Sequence, residues 1–380
     1  MIRTHVAIVG AGLAGLRAAG LLRAANVEFV LLEARDRLGG RVLSVDEAGR
    51  PAEDGFDLGP SWYWPRMQPA IAELVAELGL RGFGQHGDGD VIFERMSREG
   101  AQRYHGGAQE PLSFRLVGGT SALVGALARD LPREHVLLGA RVTAMALGRD
   151  GVELTIRRAD ATTEASAETL VARQVIAAVP PRLLDATVTF TPGQEAATAR
   201  RWRETPTWMA PHAKFLAVYD RPFWREAGLS GTAQSMVGPM PEMHDATTAS
   251  GRAALFGFVG VGAEQRAALG EPALTRACLN QLARLFGPEA QRPRATLFKD
   301  WAADSLTATA ADRSVGGHPT PNPAPWVTGP WRERLTLGGS EASPSEPGYL
   351  AGAVVAATRA AAETLQKLAL QPSGAGGSRG

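Results

Sequence analysis

The sequence predicts an α/β protein of two domains. Two observations predict it. A β-rich run, a glycine-dense turn, an Ala/Leu-rich helix and a second β-rich run open the chain. A chain of 380 residues is long enough for two cores.

Composition narrows the class. Hydrophobic residues make up 44% and charged residues 21%, as in an ordinary soluble protein. The net charge of +1 provides no field for nucleic acid or an anionic membrane, and neither is expected as a partner. No uncharged stretch approaches the ~18 residues needed to cross a bilayer. Cys278 is the single cysteine, so no intrachain disulfide forms and nothing requires an oxidising compartment. Leu274, Cys278, Leu282 and Leu285 recur at helical spacing, which makes the thiol a core residue. The first 22 residues are apolar enough to imitate a signal peptide, but Gly10, Gly12, Gly15 and Gly20 interrupt them. A cytoplasmic protein without a metal is expected, with residues 373–380 as a disordered tail.

The opening stretch runs His5 to Val9, Gly10-Ala11-Gly12-Leu13-Ala14-Gly15, a helix, then Val27 to Leu32. In a Rossmann-type unit Gly10 permits the tight turn, Gly12 lets the backbone approach a pyrophosphate, and Gly15 lets helix and strand pack. The helix N-terminus offers free N–H groups to phosphate oxygens. Glu33 closes the second strand, where a carboxylate binds a ribose hydroxyl and repels a 2′-phosphate. The residues after Glu33 separate NAD from FAD. Arg35 lies close to the ribose end, and Gly39-Gly40-Arg41 adds a second glycine pair that an extended FAD uses and a plain NAD domain does not.

With those residues the sequence resembles the flavin-containing amine oxidases, the group that includes monoamine and polyamine oxidases. "DLGPSWYWP" resembles the segment that passes the flavin ring, with Gly59 retained and Pro60 replacing a second glycine. "LVGGTSALVGALARDL" is similar to the turn and helix that return to the cofactor domain, and "VIAAVPPRLL" to a loop near the flavin. "VLLGARVTAMAL" resembles the strand whose Val142 meets the adenine through its backbone. "RLTLGGSEASPSEPGYLAGAVVAATRAAAETL" resembles the closing turn, which carries Glu341, and the helix opened by Tyr349 and Leu350. The resemblance implies a glutathione-reductase-like FAD domain built from residues 1–65, 111–190 and 301–372. Residues 66–110 and 191–300 would form a reduced α+β substrate domain.

It also implies site residues. Lys214, one of three lysines, shares a strand face with Leu216 and Val218 and matches the family's lysine linked through a water to flavin N5. Tyr349 matches one wall of an aromatic cage, while the opposite wall falls on Ala311 and the flavin-tethering cysteine of some members falls on Ala310. FAD is therefore expected to be non-covalent. Trp62 is expected to supply the ring surface that Ala311 lacks, with Trp64 either beside it or buried in a seam. Trp208, Met209, His212 and His318 are candidate pocket residues. The short cap leaves either an open cavity or one covered by a partner subunit in a homodimer.

The activity implied is oxidation of an amine at the carbon beside nitrogen, with O2 reduced to hydrogen peroxide. Two alternatives stand beside it: a flavin desaturase or oxidase of carbon–carbon bonds, and a non-catalytic flavoprotein.

Overall fold

The computed structural model describes residues 2–96, 98–106, 112–158, 167–314 and 317–370, so the expected tail lies outside the described residues. By packing, the chain divides into two compact units. One comprises Met1–Leu38, Ala128–Thr205 and Pro319–Gly380, and the other Gly39–Leu127 and Pro206–His318.

In the first unit, β1 (Ile2–Val9) lies inside the sheet. It pairs in parallel with β2 (Phe29–Leu32) on one side and with Glu168–Ala177 on the other. Val136–Leu137 extends the sheet beyond β2, and Leu335–Leu337 pairs in parallel with Glu168–Ala177. Val152–Arg158 and Ala140–Leu147 add an antiparallel ribbon at the other edge. A parallel strand covered on both faces has no solvent side, and Val6, Ala7 and Ile8 are fully buried. The helix α1 (Leu13–Ala24) packs on the closing helix Leu350–Leu370. Small residues allow this: Ala14, Gly15 and Ala18 are buried on one helix, Ala353, Ala356 and Ala357 on the other. β2 starts later than the Val27 expected, because the Val27 N–H bonds back to the Leu22 carbonyl and finishes α1 instead.

The second unit is built on a mixed seven-stranded sheet. Its order is Ala295–Asp300, Ala213–Tyr219, Ala253–Val259, Glu242–Asp245, Leu229–Ser235, Asp90–Glu94 and Gln102–Tyr104. Ala213–Tyr219 is buried along its whole length, and its alternation sorts two cores. Phe215, Ala217 and Tyr219 pack with Cys278, Leu282, Leu285 and Phe286 of the helix Glu271–Phe286, so the lone cysteine is the core residue expected. Leu216 and Val218 face the other way, onto Phe256, Leu297, Val45, Phe56 and Leu58.

That second core explains where packing departs from the expected partition. Residues 39–65, 111–127 and 301–318, read as part of the cofactor domain, pack in the second unit. Val45, Phe56 and Leu58 bury themselves against its sheet. Residues 191–205, read as substrate domain, pack in the first unit, where Trp202 is fully buried against Phe190. Packing does not decide which stretches touch a ligand.

Candidate active site

In the first unit the site residues are held by backbone. Gly10 has φ +100°, and a Cβ there would lie 2.7 Å from Val179 and 3.0 Å from the Ala178 carbonyl oxygen. A Cβ on Gly15 would overlap the Gly10 carbonyl oxygen. Gly12 is the N-cap of α1 and caps it with no side chain, so the helix opens onto bare N–H groups. Glu33, 6% exposed, sits at the end of β2 with its carboxylate accepting from the Ala11 N–H (2.8 Å) and the Arg35 N–H (2.9 Å). The Arg35 carbonyl in turn accepts from Gly139. Val142 is buried beside a β-bulge in Ala140–Leu147. In the closing turn Glu341 is buried and accepts from the Ser340 hydroxyl at 2.9 Å. Leu350 opens the last helix directly after Tyr349, which is 36% exposed. The side-chain-free turn, the uncapped helix start and the buried carboxylate fit a dinucleotide whose ribose is not phosphorylated.

The second unit holds its residues by side chains. Gly39 and Gly40 both have positive φ, 99° and 58°. Arg41 donates from its guanidinium to the Trp208 carbonyl at 2.8 Å. A Cβ on Gly59 would overlap the Arg41 carbonyl oxygen, so this glycine lets the two stretches touch.

Lys214 is 1% exposed. Its Nζ donates to the Asp57 carbonyl (2.8 Å), the Gly59 carbonyl (3.0 Å) and the Ser61 hydroxyl (2.7 Å). It also lies over the rings of Phe256 (4.3 Å) and Phe258 (5.7 Å). Burial opposes the charge, the Asp57 carboxylate favours it and Arg115 opposes it; burial dominates and draws the ammonium from 10.5 to about 7. The expected face with Leu216 and Val218 is present. All three ammonium N–H groups have protein acceptors, so an ordered water at this lysine would have to exchange with one of them.

Trp62 lies on the same sheet face. Its ring packs against Phe256 at 5.4 Å, Phe258 at 6.1 Å and, edge-on, His244 at 4.8 Å, and its Nε1 donates to Gln85 at 2.7 Å. Gln85 donates onward to the Asp245 carbonyl. The buried ring of the "SWYWP" stretch is Tyr63, 5% exposed, whose backbone bridges Phe114; Trp64 is half-buried. An extended stretch turns alternate residues to opposite sides, so the middle ring is the one that enters the core.

The candidate pocket residues meet as well. Trp208 packs on His318 at 4.2 Å and His212 at 5.5 Å. His212 is held below the ordinary histidine range by burial and then by Arg266, and its Nδ1 is buried without a hydrogen-bond partner. Met209 adopts φ 68° in the turn between them. Ala311 is exposed on the short 3₁₀ turn Ala310–Asp312, which Asp312 ties to this group by accepting from the Thr207 N–H.

Sequence reasoning missed Ser61, Asp57, Phe256, Phe258, Gln85 and the pair His244–Glu242, joined at 2.6 Å. One signal could have found the two rings. Phe256 and Phe258 flank Gly257 at a spacing of two, which puts both on one face, opposite Lys214 in the register Lys214↔Phe258.

Comparison with known proteins agrees in family and fold. Residues 93–365 match the family described as flavin containing amine oxidoreductase, and residues 8–78 match a NAD(P)-binding Rossmann-like domain. The chain is 24% identical to the probable flavin-containing monoamine oxidase A of Dictyostelium discoideum, across 80% of this chain and 84% of that protein. It is 27% identical to the putrescine oxidase of Kocuria rosea, across 83% and 86%. Among solved structures, wild-type putrescine oxidase bound to putrescine superposes with a TM-score of 0.78 at 22% identity, covering 96% of this chain and 99% of that one. Cyclohexylamine oxidase from Brevibacterium oxydans IH-35A gives 0.76 at 20% identity, with 96% of this chain and 99% of that one covered.

Proposed function

The chain belongs to the family of flavin-containing amine oxidoreductases, and we propose that it oxidises a small-molecule amine with non-covalent FAD and delivers the electrons to O2. A primary amine, O2 and water would give an aldehyde, ammonia and hydrogen peroxide, one of each. FAD, when bound, supplies the two-electron acceptor for the hydride that leaves the carbon beside nitrogen.

The chain's own residues do the rest. Gly10, Gly12, Gly15, Glu33, Arg35 and Val142 serve the adenosine diphosphate end in this reading, through backbone N–H groups and one carboxylate. Gly40, Arg41, Gly59, Glu341 and Leu350 serve the pyrophosphate and flavin end. Trp62 and Phe258, both partly exposed and backed by the buried Phe256, form an apolar aromatic wall that excludes water and attracts the positive end of an amine. Tyr349 is the remaining ring, acting through its face. Trp208, Met209, His212, Ala311 and His318 shape the approach to the site.

One observation carries the reading: a fully buried lysine, held by three oxygens over an aromatic face, among the apolar side chains Ala213 and Phe215 to Val218 of its strand. Burying an ammonium is expensive, and packing alone gives no reason for it. The test is an anaerobic screen of the yellow protein with amines, amino acids and polyenes, followed by admission of air. Amines should bleach the flavin, and air should restore it with peroxide formed. Bleaching by polyenes alone would favour the carbon–carbon desaturase, and no bleaching by any of them would remove the reading. Acid precipitation should release all the FAD, since position 310 is alanine and Cys278 is buried in a core helix.

A further inference from the structure

We propose that Ser61 is a positioning residue that lets Lys214 lose and regain a proton without leaving its cage. The three acceptors differ in what they can do. The Asp57 and Gly59 carbonyls only accept, whereas a serine hydroxyl both accepts and donates. With Lys214 as an ammonium, its three N–H groups meet three acceptors. With Lys214 as an amine, two N–H groups keep the carbonyls and the nitrogen lone pair needs a donor. Among the three contacts only the Ser61 hydroxyl turns round to provide one. Ser61 is 6% exposed and Lys214 1%, so both states are satisfied inside the protein.

The charged groups around the lysine set the balance. Asp57 favours the ammonium and Arg115 opposes it. Lys299, opposite on the neighbouring strand, has its ammonium bound to Asp304. His244 and Glu242 lie two strands away on the same face and are bonded to each other. The Phe256 ring favours the charged form. Control of Lys214 by Ser61 stands on this geometry alone. Its consequence, a proton held or released beside the reacting carbon, rests on the functional reading above.

The composition makes the test direct, because the chain has three lysines. The FAD-loaded, full-length protein is labelled with ¹³C at lysine Cε and titrated by NMR, with the Lys214 signal assigned by its loss in Lys214→Met. The wild-type signal should titrate at about 7. Ser61→Ala should lower that midpoint by about one unit, because the ammonium loses a charge-assisted bond roughly twice as strong as the one the amine loses. Ser61→Thr keeps the hydroxyl and should restore the wild-type midpoint. Should the alanine variant not fold, Ser61→Cys, whose thiol is a weak donor and acceptor, should give a smaller fall in the same direction. The proposal is overturned if the wild-type midpoint stays near 10.5, if removing the hydroxyl leaves it unchanged or raises it, or if threonine shifts it as far as alanine does. A Lys214 midpoint that follows Ser61 in a protein that no amine reduces would uphold this proposal while removing the functional reading.

Discussion

The glycine turn of the first unit and the lysine cage of the second solve opposite problems. Around Gly10 to Gly15 the chain withholds polar side chains: Gly10 has positive φ, helix α1 starts without a side-chain cap, and the Glu33 carboxylate has its oxygens on backbone N–H groups. Around Lys214 the chain gathers groups from residues 57, 59, 61, 214, 256 and 258 to hold one amine. The first arrangement suits a ligand that brings its own charge, and backbone dipoles suffice for it. The second holds a charge that belongs to the protein, in a place where water cannot stabilise it. The glycine turn therefore tolerates little change in shape, while the lysine cage tolerates little change in charge.

That contrast is open to attack, beginning with the largest effect. Unfolded lysine keeps its proton to about 10.5, whereas Lys214 in the folded chain releases it at about 7. Between those values the unfolded state binds more protons, so stability should rise with pH by about 1.4 kcal/mol per unit from this group, about 5 kcal/mol in all. Below 7 both states are protonated and the contribution is flat. Denaturant midpoints measured from about pH 7 to pH 10 should show this slope in wild type and lose it in Lys214→Met. A shared slope would mean that Lys214 is not the group responsible.

Next comes the aromatic stretch. Tyr63→Ala should cost about 3–5 kcal/mol in chemical denaturation, the usual range for truncating a buried ring, because Tyr63 is the ring in the core. Trp64→Ala should cost distinctly less, and Trp62→Ala should slow flavin reduction more than it lowers stability. If Trp64→Ala costs as much as Tyr63→Ala, Trp64 belongs to the buried seam, one of the two places the sequence left open for it. Smallest is Glu33→Gln, which should weaken FAD binding by ~1.5–3 kcal/mol, the range for a hydrogen bond to a charged group, readable as a fluorescence binding isotherm. Unchanged affinity would remove Glu33 from the ribose.

Legibility divided along the same line. The dinucleotide motif is local, since its glycines, helix and acidic residue occupy one continuous stretch whose order fixes its geometry, and only the start of β2 moved. The lysine was visible because an apolar strand run rarely carries one. Its cage was not, because Ser61 and Asp57 reach it across more than 150 positions of sequence and two of the three bonds end on carbonyls, which every residue has. Trp62 was found as an aromatic on a loop, but the choice of Tyr63 as the core ring depended on the backbone bridge to Phe114. The packing partition was hidden for a related reason. The Ser44–Val45 and Phe56–Asp57 hairpin lies close in sequence to the glycine motif but buries itself in the other unit.

Flavin reduction by a saturating amine, measured anaerobically in a stopped-flow instrument for Lys214→Met and Glu33→Gln at saturating FAD, tests the division most directly. Lys214→Met should keep wild-type FAD affinity and lose about 10²-fold or more in reduction or in reoxidation on mixing with air, the scale of a lost proton-transfer group. Glu33→Gln should reduce and reoxidise at wild-type rates once FAD is supplied in excess. A Lys214→Met enzyme with both rates intact, or a Glu33→Gln enzyme that stays slow with its flavin fully bound, would contradict the division.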